Sequence, residues 1–261
     1  MILRDWMGLR APEFAGLDPM TAIAVLPLAA VEQHGPHLPV GTDTLIGEAM
    51  LATVAGLCPP ELDLLLLPMQ RVGKSNEHLW AKGTLTLSAE AALGSWVEIG
   101  LSVARAGLRK IVIVNSHGGN ADLMSIVARE LRVRAGMLAV RCQWMSFGLP
   151  EGMYSDRERS HGIHGGDVET SLMLRFRPDL VDMAAAQDFR SSAEGAAIPP
   201  VGPVGYGWIA SDLNPAGVVG DAHLATAEKG RLTALHQAQG FVALMAEVRA
   251  HPMTGFAPVA T

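Results

Sequence analysis

The segment VEQHGPHLPVGTDT, from Val31 to Thr44, concentrates side chains that are able to bind metal ions. Glu32 and His34 are two positions apart, so in an extended segment both side chains point to the same side. Prolines stiffen the turn that follows, which lets Asp43 return toward them at the start of the next helix. An aspartate there can bridge two ions, because each carboxylate oxygen can serve a different metal.

Two later segments carry further candidate ligands. The first, NSHGGN, places His117 in a glycine-rich turn directly after an apolar strand. The second, HGIHGGDVETS, opens a later helix and contains His161, His164, Asp167 and Glu169. In open parallel sheets, ligands bind just beyond the carboxyl ends of the strands, so we expect the segments to meet there. A set of nitrogen and oxygen ligands suits Zn, Mn or Fe rather than calcium.

Each of these residues also has an explanation that needs no metal. Glu32 alone could be an ion-pair partner, and His34 a packed loop residue. His117 could belong to a tight turn between a strand and a helix, and Asp43 could cap a helix. Glu169 at a helix start could be a favourable charge for the helix dipole. The metal site is favoured because all the segments fall at predicted strand ends or helix starts.

The elements that must position these residues alternate between strand and helix. Buried apolar runs predict strands over residues 22–30, 62–68, 110–115 and 137–144. Helices are predicted over residues 42–57, 88–107, 120–135, 167–176 and 225–248. Thr42 or Thr44 is expected to cap the first helix, and Ser88 the second. The alternation indicates a mostly parallel sheet covered by helices on both faces, with residues 184–207 as a long loop and residues 1–261 as one domain.

Composition and charge narrow the class of protein. Hydrophobic residues make up 49% and charged residues 18%, as in globular enzymes. The net charge of -6 argues against nucleic-acid binding, which needs a basic surface. The 2 cysteines form no CxxC pair, and no apolar stretch reaches the roughly 20 residues that span a bilayer. We therefore expect a cytoplasmic enzyme with a small-molecule substrate that binds neither nucleic acid nor membranes.

On the segments LPLAAVEQHGPHLPVGTDT, VNSHGGN and HGGDVETSLML, the sequence resembles the creatininase family of metal-dependent amidohydrolases. Order and spacing match over residues 24–174, and a looser likeness continues through GWIASDLNPAGVVGDAHLATAEKG. The resemblance implies a three-layer α/β/α fold with a mostly parallel sheet. It also implies two divalent ions per subunit, with Zn expected and Mn or Fe as alternatives, and a homohexamer built as a trimer of dimers.

Carried over by position, the resemblance implies a role for each ligand. Glu32 and His117 would hold one ion and His34 the other, with Asp43 bridging them. Glu169 would lie at or near the metals and is also a catalytic candidate.

Other residues are expected to act beside the ligands. His164 matches the histidine that passes a proton in creatininase. His37 is expected behind the ligands, orienting one of them through its ring N–H. The expected substrate-binding residues are Ser75, Glu77, His78, Gly118 and Gly119. For Glu77 and His78, solvation of a surface loop is an equally weighted alternative.

Three positions depart from creatininase. Creatininase carries a glutamate at the position of Gly119, where it binds the second metal. Here either Glu169 or water takes its place, or the second metal site is weaker. Creatininase also has a tryptophan at the position of Ser160 and a glutamate at that of Ile163. These differences predict that creatinine is not the substrate.

The expected reaction is hydrolysis of the C–N bond of an amide, formamide or cyclic amide by a metal-activated hydroxide. Other branches of the family remove a formyl group, cleave a modified peptide or open cyclic sugar-derived ketones, and the SHGGN turn is nearer to those branches. One alternative is therefore a hydrolase of a C–C or C–O bond in a cyclic sugar-derived ketone or lactone. Another is a metal-binding scaffold without catalytic activity.

Overall fold

The computed structural model describes residues 3–258 and contains a five-stranded parallel sheet with the strand order β1-β3-β2-β4-β5. The strands are β1 (Leu3–Asp5), β2 (Ile23–Leu28), β3 (Leu64–Leu66), β4 (Lys110–Asn115) and β5 (Leu138–Gln143). A small antiparallel sheet pairs β6 (Asp188–Phe189) with β7 (Gly220–Asp221). The parallel sheet confirms the predicted fold class.

Helices cover both faces of the parallel sheet. They are α1 (Thr42–Leu57), α2 (Ala89–Arg105), α3 (Ala121–Ala135), α4 (Asp156–His161), α5 (Asp167–Phe176), α6 (Ala210–Leu213) and α7 (Ala227–Ala250). Side chains of α1, α5 and α7 share one apolar core with the sheet, and those of α2 and α3 share a second. The molecule therefore has three layers. No helix within residues 3–258 is long and apolar enough to cross a membrane.

Strand β4 illustrates why the central strands are continuous apolar runs. Alternate side chains point to opposite faces of a strand, so Val112 and Val114 enter one core while Ile111 and Ile113 enter the other. Because helices cover both faces, neither set can be polar. The same strand begins with Lys110, whose Nζ donates to three carbonyls at the C-terminal end of α7, including Val248 O at 2.8 Å. The buried ammonium group thereby satisfies backbone acceptors that the helix leaves unpaired.

Most predicted elements are confirmed, and the bounds of α1, β4 and α5 agree with the prediction. Ser88 caps α2, since its Oγ accepts a hydrogen bond from Ala91 N at 3.2 Å. The capping prediction for α1 is wrong, because the N-cap residue is Gly41. Thr42 Oγ1 instead donates to Pro39 O at 2.7 Å, and Thr44 Oγ1 donates to Ala30 O at 3.0 Å. Both hydroxyls tie the helix to the preceding loop.

The sheet register brings two of the candidate segments to one edge. Leu28, the last residue of β2, lies opposite Asn115, the last residue of β4. The loops that follow these strands therefore start side by side at the carboxyl end of the sheet. Helix α5, which opens with the third segment, packs against α1 and α7.

Close packing of α5 on α7 requires a glycine at position 230. A Cβ at Gly230 would overlap the backbone carbonyl of Ser171 in α5. We expect Gly230→Ala to lower the free energy of unfolding by about 1–3 kcal/mol, because the helices must separate. The control is Gly94→Ala in α2, where a Cβ meets open space and should stabilise the helix by about 0.5–1 kcal/mol. Urea unfolding followed by circular dichroism measures both, and equal effects would contradict the packing.

Candidate metal centre

The loop after β2 forms a hairpin that carries two candidate ligands back toward α1. Glu32 N donates to Val40 O at 2.8 Å, and His34 pairs with Leu38 in an isolated antiparallel bridge. The turn between them uses Gly35 at a φ of 75°, a left-handed conformation that favours glycine. The chain then enters α1 and presents Asp43 in the first turn of that helix.

The backbone of His117 is held by the side chain of Asn115, which the side chain of Asn120 supports in turn. Asn115 Oδ1 accepts from His117 N at 3.2 Å and from Asn120 Nδ2 at 3.0 Å. Asn120 Oδ1 accepts from Lys74 N at 3.0 Å, which attaches the loop after β3 to the same turn. The SHGGN turn and residues 74–78 are therefore one connected unit beside the hairpin.

Asp43 lies between two groups of candidate ligands. Its Oδ1 is 3.4 Å from His34 Nε2, and its Oδ2 is 3.4 Å from His117 Nδ1. Glu32 Oε1 lies 3.1 Å from His117 Nδ1, on one side of Asp43. Glu169 Oε2 lies 3.8 Å from His34 Nε2, on the other side. Each oxygen of Asp43 thus faces a different group, which is the geometry of a bridging carboxylate.

Backbone carbonyls determine which nitrogen of each histidine is free to bind a metal. His34 Nδ1 lies 3.0 Å from Glu32 O, and His117 Nε2 lies 3.0 Å from Lys74 O. Because a carbonyl only accepts, both of these ring nitrogens carry the proton. His34 Nε2 and His117 Nδ1 face the carboxylates, and a metal ion bound there would displace any proton from these nitrogens. This arrangement, in which the second nitrogen donates to a fixed acceptor, is usual for metal-binding histidines.

Several atoms at the centre of the cluster are buried without a hydrogen-bond partner. They are both carboxylate oxygens of Glu32, Oδ2 of Asp43 and Nε2 of His34. Buried polar groups without partners are rare, and an unpaired buried charge is costly. A divalent cation would satisfy these atoms together, since they are the oxygen and nitrogen donors that such ions prefer. The donor set therefore fits divalent metal ions.

The charges of the cluster point to the same need for cations. Burial raises the pKa of Asp43 to about 6, and burial also opposes ionisation of Glu32. Burial is the largest single effect at Glu32, but the imidazoles of His117, His164 and His34 together outweigh it and hold the pKa of that carboxyl well below its usual range. Burial alone would lower the pKa of His34, but Asp43 and Glu169 raise it to about 10. Without metal, protons on the histidines must compensate the carboxylates, and metal binding would release them.

His164 stands between two other histidines with one nitrogen facing the cluster. Its ring centroid is 4.2 Å from that of His34 and 4.4 Å from that of His78. Its Nε2 donates to Gln33 O at 2.7 Å, while its Nδ1 lies 3.6 Å from Glu32 Oε1. Burial, together with the nearby His34, lowers the pKa of His164 to about 4. The ring is thus a neutral imidazole with Nδ1 available at the cluster.

Helix α5 brings Glu169 to the cluster, but it does not bring every candidate from its segment. Glu169 Oε2 accepts from Gly165 N at 2.6 Å. Asp167 Oδ2 instead pairs with Lys229 Nζ at 2.5 Å, so its charge is compensated elsewhere. His161 lines a different cavity, beside Arg157.

His37 was expected to orient a ligand, and in the structure its ring N–H reaches the backbone of Gly165 rather than a ligand side chain. The ring nitrogen Nε2 of His37 donates to Gly165 O at 3.1 Å and lies 2.9 Å from Thr170 Oγ1. His37 therefore holds the turn before α5, and it acts on Glu169 only through the backbone of Gly165. The sequence pattern did not show this, because Gly165 is 128 residues away along the chain.

The predicted substrate-binding residues surround His117 and Glu32. Ser75 Oγ lies 3.2 Å from His117 Nε2, and Glu77 Oε1 lies 3.5 Å from the same nitrogen. His78 Nε2 lies 3.4 Å from Glu32 Oε1. A Cβ at Gly118 would meet open space, whereas one at Gly119 would overlap Glu77 Oε1. The loop after β3 therefore contacts the candidate ligands themselves.

Gln33 was not among the candidates, yet its amide orients His78. Gln33 Nε2 donates to Gly217 O at 2.7 Å, and Gln33 Oε1 accepts from Gly35 N at 2.9 Å. A backbone carbonyl can only accept a hydrogen bond and a backbone N–H can only donate one, so these two contacts determine the orientation of the Gln33 amide. The same Nε2 lies 2.8 Å from His78 Nδ1, which must be an acceptor. His78 therefore carries its proton on Nε2, toward Glu32.

Together, the fold and the cluster define an α/β protein with buried donor atoms that could hold divalent metal ions. The family model named Creatininase, described as creatinine amidohydrolase, matches residues 8–245. The chain belongs to the creatininase family of hydrolases.

Curated relatives include proteins with two different substrates. The mycofactocin precursor peptide peptidase of Mycobacterium ulcerans (strain Agy99) is 34% identical over 215 residues, which cover 79% of this chain and 78% of that protein. The creatinine amidohydrolase of Pseudomonas putida is 30% identical over 231 residues, which cover 80% of this chain and 83% of that protein.

Solved creatininase structures share the fold. The structure described as creatininase Mn superposes with a TM-score of 0.75 at 25% identity and covers 95% of this chain and 100% of its own. A creatininase variant of Zn-Zn type has a TM-score of 0.72 at 28% identity and covers 95% of this chain and 98% of its own. These similarities and the donor set support the use of divalent metal by this chain.

The orientation of His78 yields a prediction for the metal-loaded protein. In ¹⁵N-histidine-labelled protein, NMR should show the proton of His78 on Nε2. Gln33→Leu should remove this preference and lower the free energy of unfolding by about 1–3 kcal/mol, because a buried acceptor loses its donor. Gln70→Leu is the control, since the side-chain amide of Gln70 donates to Pro68 O. A proton on Nδ1 of His78 in the unsubstituted protein would contradict the assignment.

Proposed function

We propose that the protein is a metal-dependent hydrolase that cleaves the C–N bond of an amide, with peptide-like amides as its substrates. The observation that carries the proposal is the convergence of buried donor atoms without hydrogen-bond partners, from Glu32, His34 and Asp43, beside His117. The relatives named above act on a precursor peptide and on creatinine, according to their names, and both names describe cleavage of C–N bonds.

In this proposal, Glu32 and His117 would hold one divalent ion, while His34 and Glu169 would hold the other. Asp43 would be shared between the two ions, since its oxygens face different groups of ligands. When bound, two such ions supply Lewis-acid chemistry, which makes water nucleophilic near neutral pH and polarises a carbonyl oxygen.

His164 moves the proton. Its Nδ1 is the free ring nitrogen at the cluster, because Nε2 donates to the carbonyl of Gln33. Nδ1 accepts a proton as water adds to the amide carbon, and it returns that proton to the leaving nitrogen when the C–N bond breaks. The hydrogen bond to Gln33 keeps the ring in the orientation that both transfers need.

The surroundings of α4 support an amide other than creatinine. Ser160 is exposed at the end of α4, and Ile163 packs against a small apolar cluster that includes Leu213 and Val219. Neither residue supplies the tryptophan or the glutamate that creatininase has at these positions. The site therefore lacks two groups that serve a small flat substrate there.

A second candidate function is hydrolysis of a cyclic sugar-derived ketone. The observation that favours it is similarity to the 3-dehydro-scyllo-inosose hydrolase of Thermotoga maritima, which is 25% identical over 231 residues, covering 80% of this chain and 72% of that protein. The same activated water would add to the ketone carbon, the adjacent ring C–C bond would break, and the proton from water would pass to the departing carbon. The candidate ligands are therefore compatible with both reactions.

A turnover screen of the metal-loaded protein tests the proposal. The panel contains short peptides, formamidopyrimidines, cyclic imides, creatinine and cyclic sugar ketones, with metal-depleted protein as the blank. We expect metal-dependent release of an amine from a peptide or another amide. Turnover of the sugar ketones alone would establish the second candidate. Absence of turnover, with less than one ion per chain, would favour a non-catalytic scaffold.

The bridging role of Asp43 predicts a specific loss of metal. Asp43→Ala should release both ions and abolish turnover, because each ion loses a shared oxygen ligand. Elemental analysis after gel filtration measures the ions per chain. The control is Asp167→Ala, at an equally buried aspartate whose partner is Lys229 rather than a metal. Full metal occupancy in Asp43→Ala would refute the bridge.

The proposed proton transfer predicts the opposite pattern for His164. His164→Ala should keep both ions but lower kcat about 10²–10⁴-fold, as expected for loss of a general acid–base group. His161→Ala, three positions earlier and outside the cluster, is the control and should retain turnover. Unchanged turnover in His164→Ala would remove this residue from the mechanism, and loss of metal would make it a ligand instead.

A further inference from the structure

Position 119 has no room for a side chain, because the side chain of Glu77 occupies the space beside it. The φ angle of Gly119 is not positive, so its backbone conformation does not require glycine. A Cβ at this position would overlap Glu77 Oε1 and His117 Nε2, and it would lie 2.6 Å from Lys74 O. The volume that a side chain at position 119 would need is therefore filled by the carboxylate of Glu77.

Glu77 is directed inward from a short 3-10 turn. The turn covers Asn76–His78, and Glu77 is only 9% exposed within it. One of its carboxylate oxygens, together with donor atoms of Glu32 and His117, belongs to a group of atoms that lie within 4.8 Å of one another and could hold a metal ion. The turn is anchored to the end of β4 through the hydrogen bond between Asn120 and Lys74 N. The carboxylate is thus held beside the first ion site by fixed backbone.

An ion pair with Lys74 does not account for the whole of this arrangement. Lys74 Nζ contacts Glu77 Oε2 at 2.8 Å, which occupies one oxygen of the carboxylate. The other oxygen, Oε1, faces His117 at 3.5 Å. The ion pair with Lys74 needs only one carboxylate oxygen, and it does not require the other oxygen to lie beside His117. The inward oxygen needs a different explanation.

We propose that Glu77 is a ligand of the metal ion held by Glu32 and His117, and that its carboxylate enters the site from the loop after β3 through the space that Gly119 leaves free of a side chain. The inference rests on the proposed metal-dependent function and adds a residue to its site. Lys74 keeps Oε2 and thereby turns Oε1 toward the ion. Glu77 then belongs to the metal site rather than to the substrate pocket.

Metal binding of Glu77→Gln tests the proposal directly. The full chain is depleted with a chelator, reloaded with Mn²⁺ or Zn²⁺ and analysed for ions per chain and for Kd by competition with a chromophoric chelator. We expect one of about two ions to be lost or its Kd to rise at least about 100-fold, above the 10–100-fold typical of groups that only orient a ligand. The absorption bands of the Co²⁺-loaded protein should change, because the ligand set of one ion changes.

Two further variants separate a ligand from a structural charge. Lys74→Met removes the ion pair but keeps the carboxylate, so it should keep both ions, with a Kd raised by no more than the roughly 10–100-fold typical of a group that orients a ligand. Glu77→Asp keeps the charge but withdraws the oxygen, so one Kd should again rise. Unchanged ion count, Kd and Co²⁺ spectrum in Glu77→Gln would overturn the proposal, as would equal losses in Lys74→Met.

Different experimental results would contradict the proposed function and the proposed role of Glu77. If the unsubstituted chain holds less than one ion and shows no turnover, the proposed function fails. If the unsubstituted chain holds two ions and turns over substrate while Glu77→Gln holds two as tightly, only the role of Glu77 is wrong.

Discussion

The central constraint on this site is the burial of two carboxylates, whose negative charge must be compensated by protonated histidines or by metal ions. Glu32 is 0% exposed and Asp43 is 1% exposed, and oxygens of both have no hydrogen-bond partner. Removing such charges from water costs several kcal/mol each unless a cation compensates them. The adjacent imidazoles of His34 and His117 can do so by taking up protons, and divalent ions can do so by displacing them. The rest of the fold holds these four side chains together.

Backbone hydrogen bonds fix the orientation of each histidine ring. Carbonyls of the chain itself accept the ring N–H of His34, His117 and His164, so each ring presents its other nitrogen to the cluster. These carbonyls lie in the hairpin after β2 and the loop after β3, which start from neighbouring strands of one sheet. A site supported in this way keeps its geometry without the ion, because no ligand has to rotate into position. The packing of α5 on α7 brings Glu169 to the second group of ligands.

Local patterns predicted the elements well where they are long and apolar. The bounds of α1, β4 and α5 follow from hydrophobic runs and helix starts, which depend on neighbouring residues. The caps of α1 were mispredicted because Thr42 and Thr44 have alternative acceptors in the preceding loop. Hydrogen-bonding side chains choose among all nearby partners, and sequence spacing reveals only some of these.

The sequence by itself determined the parallel α/β architecture and a set of candidate ligands, because residue type and periodicity fix which faces are buried and which side chains bind metals. Only the tertiary structure decided how those side chains share the site. It directed His37 to the backbone of Gly165 and Asp167 to Lys229, and it brought Gln33 onto His78. It also turned Glu77 into the space left by Gly119. These contacts join loops that are distant along the chain, and their geometry follows from the packing of strands and helices rather than from any local pattern.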